Sequence, residues 1–348
     1  MGPALAILAF SLVAAAAAPA RAPPPPSVPV DAWIAWRDAF VKDDGRLVDV
    51  DNGGVSHSEG QGYALLLAAF ARDPDTFRKV WGWTKANLMV RADGLAAWRW
   101  VPKDDPHVKD RNDATDGDLL IAWGLAEGAR RFERPEYRAA SRRIARALLA
   151  HATFETPLGL MLKPGVAGFG PKDSKDGPLV NPSYWVFPAF DALAKIAPSP
   201  AWAKLRAGGY ALLAAARFGK AGLPTDWVSV KEKAPAPAAG RPPLFSYDAI
   251  RVPLYLAWDA SAPKAAFEPY ARAFGSDDAP AIVDVTGAKP DVPFGDPGYR
   301  AVAASALCAA DGAKIPADLK TVGDARYFPA TLHVMSLALW GGRLAACG

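Results

Sequence analysis

The chain has 348 residues, of which 51% are hydrophobic and 22% charged, a balance that belongs to globular proteins and excludes a disordered chain. Its 40 Lys and Arg residues against 36 acidic ones leave a formal charge of only +4, too little basic excess for a nucleic-acid partner. The length allows one large domain or two, and 12 Trp residues point to recognition surfaces as well as core.

Residues 1–22 read as a secretory signal: 4–18 is apolar except for Ser11, and small residues follow up to Ala22. The stretch is short and Ala-rich for a membrane span, so cleavage and a periplasmic or secreted location are expected. Pro23 to Pro26 would then form a stiff, exposed leader over 23–30, ahead of a single domain over 31–348. Cys308 and Cys347 fit an exported protein with one disulfide or two free thiols, and both options stay open.

Apolar spacing predicts a helix over 31–41 and, after a polar stretch, a second over 62–71. Just before it stands Ser58-Glu59-Gly60-Gln61-Gly62-Tyr63, a carboxylate between small residues at the mouth of an apolar run. Further helices are expected over 75–88, 116–132, 136–152, 184–196 (with a kink at Pro188), 202–218, 247–258 (interrupted at Pro253), 263–274, 299–310 and 326–340. Residues 231–243 carry too many breakers for a regular element, and Ile282-Val283-Asp284-Val285 is the one convincing strand. A serial all-α chain of this length packs as a toroid of inner and outer helices or as a solenoid of helix pairs.

Three acidic clusters open apolar helices: Glu59, Asp116 with Asp118, and Asp248. Singly each is a helix cap. Together, with Tyr63, Tyr247 and Arg251 alongside, they supply what cleavage of a glycosidic bond requires: a protonated carboxyl for the leaving oxygen, a carboxylate to activate water, and aromatic faces for sugars. The four histidines lack ligand spacing, so no metal and no cofactor is expected. His57 reads as an exposed loop residue, Asp118 as a cap, and Arg138, Arg142, Arg143 and Arg146 as a solvated face.

The motifs Ser58-Glu59-Gly60-Gln61-Gly62-Tyr63, Ala114-Thr115-Asp116-Gly117-Asp118, Asn181-Pro182-Ser183-Tyr184 and Ser246-Tyr247-Asp248-Ala249-Ile250-Arg251 together resemble glycoside hydrolase family 8, in order and over 33–340. The branch most similar is that of periplasmic endoglucanases encoded with bacterial cellulose synthase, with which Pro224-Thr225-Asp226-Trp227 is compatible. The resemblance implies an (α/α)6 barrel and an inverting, endo-acting β-1,4-glucanase on cellulose-like chains. Its partners would be β-glucan and the cellulose synthase complex, and it would act as a monomer. By motif, Glu59 would be the general acid, Asp248 the general base, and Asp116 a cleft residue holding the sugar distorted. Tyr63, Tyr247 and Arg251 would bind substrate, with Trp98, Tyr184 and Trp227 as sugar platforms. A xylanase or chitosanase of the same family, or a glycan-binding accessory without turnover, are the alternatives. Gly62, Ala64, Gly124 and Gly128 depart from the pattern and put local helix stability in question.

Overall fold

A computed structural model describes residues 23–348 apart from 276–279, 290, 294 and 324; residues 1–22, expected to be a secretory signal, lie outside the described residues. These form eleven α-helices: α1 Val30–Phe40, α2 Ser58–Phe70, α3 Pro74–Asn87, α4 Thr115–Arg131, α5 Pro135–His151, α6 Phe187–Ile196, α7 Ala201–Ala215, α8 Arg251–Trp258, α9 Glu268–Phe274, α10 Pro297–Asp311 and α11 Tyr327–Trp340. Neighbour packing runs α2–α4–α6–α8–α10–α11 and returns from α11 to α2, closing a ring of six. Outside it, α1 lies over α11 and α2, α3 over α2, α5 over α4 and α6, α7 over α6, and α9 with the 3-10 turn Ala317–Leu319 over α10. The fold is the (α/α)6 barrel, not the solenoid.

Burial explains the sorting. Every residue of α8 and all but one each of α2 and α11 are buried, as befits helices apolar on all sides. In the outer helix α5 only Tyr137, Ala140, Ser141, Ile144, Ala145, Ala147 and Leu148 are buried, a one-sided stripe at helical spacing. Two of the arginines expected to be solvated instead cap α6: Arg138 and Arg142 donate to the carbonyls of Lys195 and Ile196 at 3.3 and 3.0 Å.

Several boundaries differ from expectation. Helix α2 starts at Ser58, bringing Glu59 into its first turn. The helix expected over 184–196 is a 3-10 turn, Pro182–Tyr184, followed by α6, in whose first turn Pro188 sits without kinking it. Residues 247–250 form a turn and α8 begins at Arg251, placing Pro253 where a missing N–H costs nothing. Gly124 and Gly128 do not weaken α4, which runs unbroken. A Cβ on Gly124 would meet Leu65 at 2.7 Å and one on Gly128 would meet the Phe77 ring, so both are close-approach positions.

Sheet is more frequent than the sequence suggests. Four small antiparallel sheets form: Ser56–His57 with Arg99–Trp100; the hairpin Thr153–Thr156 with Gly159–Leu162; Leu179–Val180, Val228–Ser229 and Ala236–Pro237; and Leu244–Phe245, Pro280–Asp284 and Val292–Pro293. Most strands are two residues long, too short for an alternating pattern to register. Even the breaker-rich 231–243 contributes Ala236–Pro237. Three of these sheets lie in connections that lead into α2, α4, α6 and α8, so they brace one end of the inner ring.

The cysteines pair. Cys308 of α10 is bonded to Cys347, 39 residues on, a loop closure worth about 4 kcal/mol in the chain-entropy model. The Pro-rich leader is not free of the body from Pro26 onward. Arg131 donates to the Pro26 carbonyl at 2.8 Å, and Val28 is buried.

Candidate active site

The starts of α2, α4 and α8 and the turn before α6 converge on one guanidinium. Arg251 Nη1 donates to Glu59 Oε1 and, at 2.7 Å, to Asp116 Oδ2; Nη2 donates to Asp248 Oδ1 at 2.9 Å and to Ser183 Oγ at 2.8 Å. Asn181 completes the set. Its Nδ2 donates to Asp248 Oδ2 at 2.9 Å, and its Oδ1 accepts from Ser183 N and Ser183 Oγ at 3.1 and 2.7 Å. Three carboxylates from 59, 116 and 248 are thus gathered by one cation.

Access separates them. Glu59 and Asp248 side chains are 24% and 35% exposed, whereas those of Asp116 and Arg251 are 3% and 2% exposed. Two carboxylates reach the surface over a sealed base. This corrects three expectations. Asp116 faces Arg251 and the Gly117 N–H (2.8 Å), not an open cleft. Arg251 spends its donors on protein acceptors and has none turned to a substrate. Tyr63 is enclosed, its hydroxyl 2.6 Å from Tyr255 Oη, so its ring offers no face to a sugar.

Three negative groups on one positive charge cannot all ionise cheaply away from water. Burial, then the nearby Asp248 charge, holds Glu59 above the ordinary glutamate value, with Arg251 opposing. Asp116, more deeply enclosed, is pushed up to about 7 by burial, with Glu59 and Asp248 adding and Arg251 opposing. Glu59 and Asp116 therefore both hold their protons more tightly than free carboxylates do.

Aromatic side chains lie close to the carboxylate-bearing segments. Beside Glu59, the Trp98 carbonyl accepts from Ser58 N at 2.9 Å. The half-buried Trp98 indole donates to Asp110 at 2.8 Å and stacks on His57, with centroids 6.0 Å apart and planes at 13°. His57 is therefore not the exposed loop residue expected, and its burial lowers its pKa. Beside Asp248, the half-buried Tyr184 ring lies 5.7 Å from the Arg251 guanidinium and 6.4 Å from Trp227, itself stacked on Phe169 at 5.5 Å. Tyr247 is half exposed, 6.1 Å from Tyr299. Asp118 is no cap: fully enclosed, it accepts from Ala96 N at 2.8 Å and anchors the segment leading to Trp98.

Sequence reasoning passed over Ser183 and Tyr255 as site groups. Ser183 lay within the quoted Asn181-Pro182-Ser183-Tyr184 motif, but its spacing gave no sign that it would meet Arg251. Tyr255, in the middle of an apolar helix, gave no signal beyond being the lone hydroxyl there.

Close packing of α2 on α4 holds Glu59 in place. A Cβ on Gly117 would sit 2.7 Å from Glu59 N and from Ser58 Cβ. Gly117→Ala is therefore expected to cost about 1–3 kcal/mol of stability and to lower kcat by on the order of 10²-fold, since a shift of about 1 Å at a reacting group has that effect. Urea unfolding and steady-state kinetics check it; unchanged kcat in a folded variant would show that the contact does not place Glu59.

Comparison with known proteins gives the site its context. Residues 2–342 match the family model "Glycosyl hydrolases family 8". A probable endoglucanase of Novacetimonas hansenii is 40% identical over 289 residues, 82% of this chain and 84% of the relative. Among solved structures, the endo-beta-1,4-glucanase CMCax from Acetobacter xylinum superposes with a TM-score of 0.81 at 35% identity, covering 89% of this chain and 97% of that one. The endoglucanase Cel10 of Klebsiella pneumoniae, a family 8 glycosyl hydrolase, gives 0.80 at 34% identity with the same coverage. With the barrel closed, the carboxylates gathered at one end and the match running nearly end to end, the chain belongs to glycosyl hydrolase family 8 and is a glycoside hydrolase.

Proposed function

We propose that this enzyme is an endo-acting β-1,4-glucanase that hydrolyses cellulose-like chains with inversion of the anomeric carbon. The observation that carries the reading is the pair of accessible carboxylates, Glu59 and Asp248, on neighbouring nitrogens of one buried guanidinium. Glu59, whose hold on its proton is tightened by burial and by Asp248, donates to the leaving oxygen; Asp248, the more exposed, takes a proton from the attacking water. Asp116 acts from beneath, fixing the Arg251 guanidinium against which Glu59 and Asp248 are set. Trp98 on one side and Tyr184, Trp227 and Tyr247 on the other are the sugar platforms, so the chain extends both ways from the scissile bond. The similarity to relatives named endoglucanase supports glucan as substrate. A charge of +4 gives polycationic chitosan no attraction.

In this reading residues 1–22 export the protein, 31–348 form one catalytic domain, and the monomer trims glucan in the periplasm beside a cellulose synthase. Reducing-sugar release from carboxymethylcellulose, xylan and chitosan side by side tests the substrate, with carboxymethylcellulose the expected one. Preference for xylan would overturn the glucan assignment, and no turnover on any would leave a binding accessory. The stereochemical claim is separate: proton NMR of the first product should show the α-anomer before mutarotation, and a first-formed β-anomer would exclude inversion.

A further inference from the structure

A fourth carboxylate, outside the cluster on Arg251, grips the turn that carries Asp248. Asp226 Oδ1 accepts from the backbone N–H of Ser246 at 2.9 Å and from that of Ala249 at 2.8 Å, and the Ser246 hydroxyl donates to its Oδ2. These donors straddle Asp248 on both sides in sequence. Asp226 is tied in turn to the strand below, its own N–H donating to Leu244 O at 2.7 Å. The Asp248 side chain is steered separately, by Asn181 and Arg251. Two independent clamps therefore hold this group, one on its backbone and one on its carboxylate.

We infer that Asp226 is a positioning residue for hydrolysis: by binding the amides on either side of Asp248 it holds 246–250 as a turn instead of letting α8 begin earlier, and so aims Asp248 at the attacking water. This rests on the reading of Asp248 as general base. The cost of the arrangement supports closeness, because burial and then the Asp248 charge push Asp226 up to about 6. A carboxylate kept there against burial and like charge has a use beyond filling space.

The bond pattern dictates the test. Both backbone donors go to the same oxygen, so Asp226→Asn can keep them on its carbonyl, whereas Asp226→Ala loses them. We expect Asp226→Ala to lower kcat on carboxymethylcellulose about 10²-fold with KM within threefold of wild type, and Asp226→Asn to recover most of that loss. A residue that merely stabilised the barrel would change melting temperature without separating kcat from KM. Wild-type-like kcat in the Ala variant, or an Asn variant as impaired as the Ala one, overturns the inference. Should the Ala variant not fold, Asp226→Ser, whose shorter side chain cannot span both amides, decides: kcat down at least about tenfold at unchanged KM supports the role, unchanged kcat refutes it. All comparisons are to wild type on one substrate. A wild type inactive on every β-1,4-glycan would sink the functional reading, whereas an active wild type matched by the Ala variant would sink only this one.

Discussion

Glu59→Gln is expected to lower kcat on carboxymethylcellulose by 10²- to 10⁴-fold, the range a positioned general acid contributes, while fold and glycan affinity stay close to wild type. The substitution is nearly silent in geometry. The Gln carbonyl can still accept from Arg251, and the Tyr63–Tyr255 contact nearby is untouched. What disappears is the proton. An aryl β-cellobioside with an acidic phenol as leaving group needs little protonation, so the same variant should retain far more activity on it. Asp248→Asn should lose activity on both, because water must be activated whatever departs. Equal loss on the two substrates in Glu59→Gln would show that Glu59 is not the acid. Stability adds a second readout. Glu59 is raised above its ordinary value in the folded state, so wild-type stability falls as pH rises from the unfolded glutamate value through the folded one. The Gln variant carries no such penalty, and its melting temperature relative to wild type should climb over that window.

The identity of these carboxylates was legible in the sequence because each sits in a short polar motif just ahead of an apolar run, and such interruptions stand out against a helical pattern. Their mutual geometry was not. Arg251 follows Asp248 by three residues, which suggests a neighbour of the base; nothing in that spacing shows that its guanidinium crosses the barrel to residues 59 and 116. Tyr63 looked like a substrate contact for the same reason: proximity in sequence to Glu59 cannot tell an outward ring from an inward one. The two-residue strands were invisible because pairing such as Ser56 with Trp100 is decided by long-range closure of the barrel, not by local propensity. Gly124 misled in the other direction. Helix propensity counts it as a weakness, while packing of α4 on α2 requires it. The helices, by contrast, follow from amphipathic period in the outer ring and from long apolar runs between breakers in the inner one, and for them tertiary context shifted boundaries without changing type.

Removing Arg251 should produce the largest loss of stability, and one with a distinctive pH dependence. In Arg251→Met a side chain of similar length occupies the sealed space but supplies no donors, so Glu59, Asp116, Asp248 and Ser183 lose their shared partner together. Breaking a buried pair by deleting one member costs about 3–5 kcal/mol because the other charge stays behind uncompensated, and here three stay behind. The guanidinium is also what opposes the upward displacement of Glu59 and Asp116. Without it their folded values move further up, and the folded state holds more protons than the unfolded chain at any pH between the unfolded carboxylate values, about 4, and the new folded ones. Stability of the variant must then fall as pH rises across that window. Urea unfolding at pH 4.5 and pH 8 should show a modest deficit relative to wild type at the lower pH and the full deficit at the higher. An equal deficit at both would mean that Arg251 supports the barrel by packing alone. Arg251→Lys separates charge from geometry. A single ammonium keeps the compensating cation but cannot reach acceptors on two nitrogens in a fixed fork, so this variant should stay folded at pH 8 and still lose on the order of 10²-fold in kcat, since Glu59 and Asp248 are no longer set against the same rigid plane.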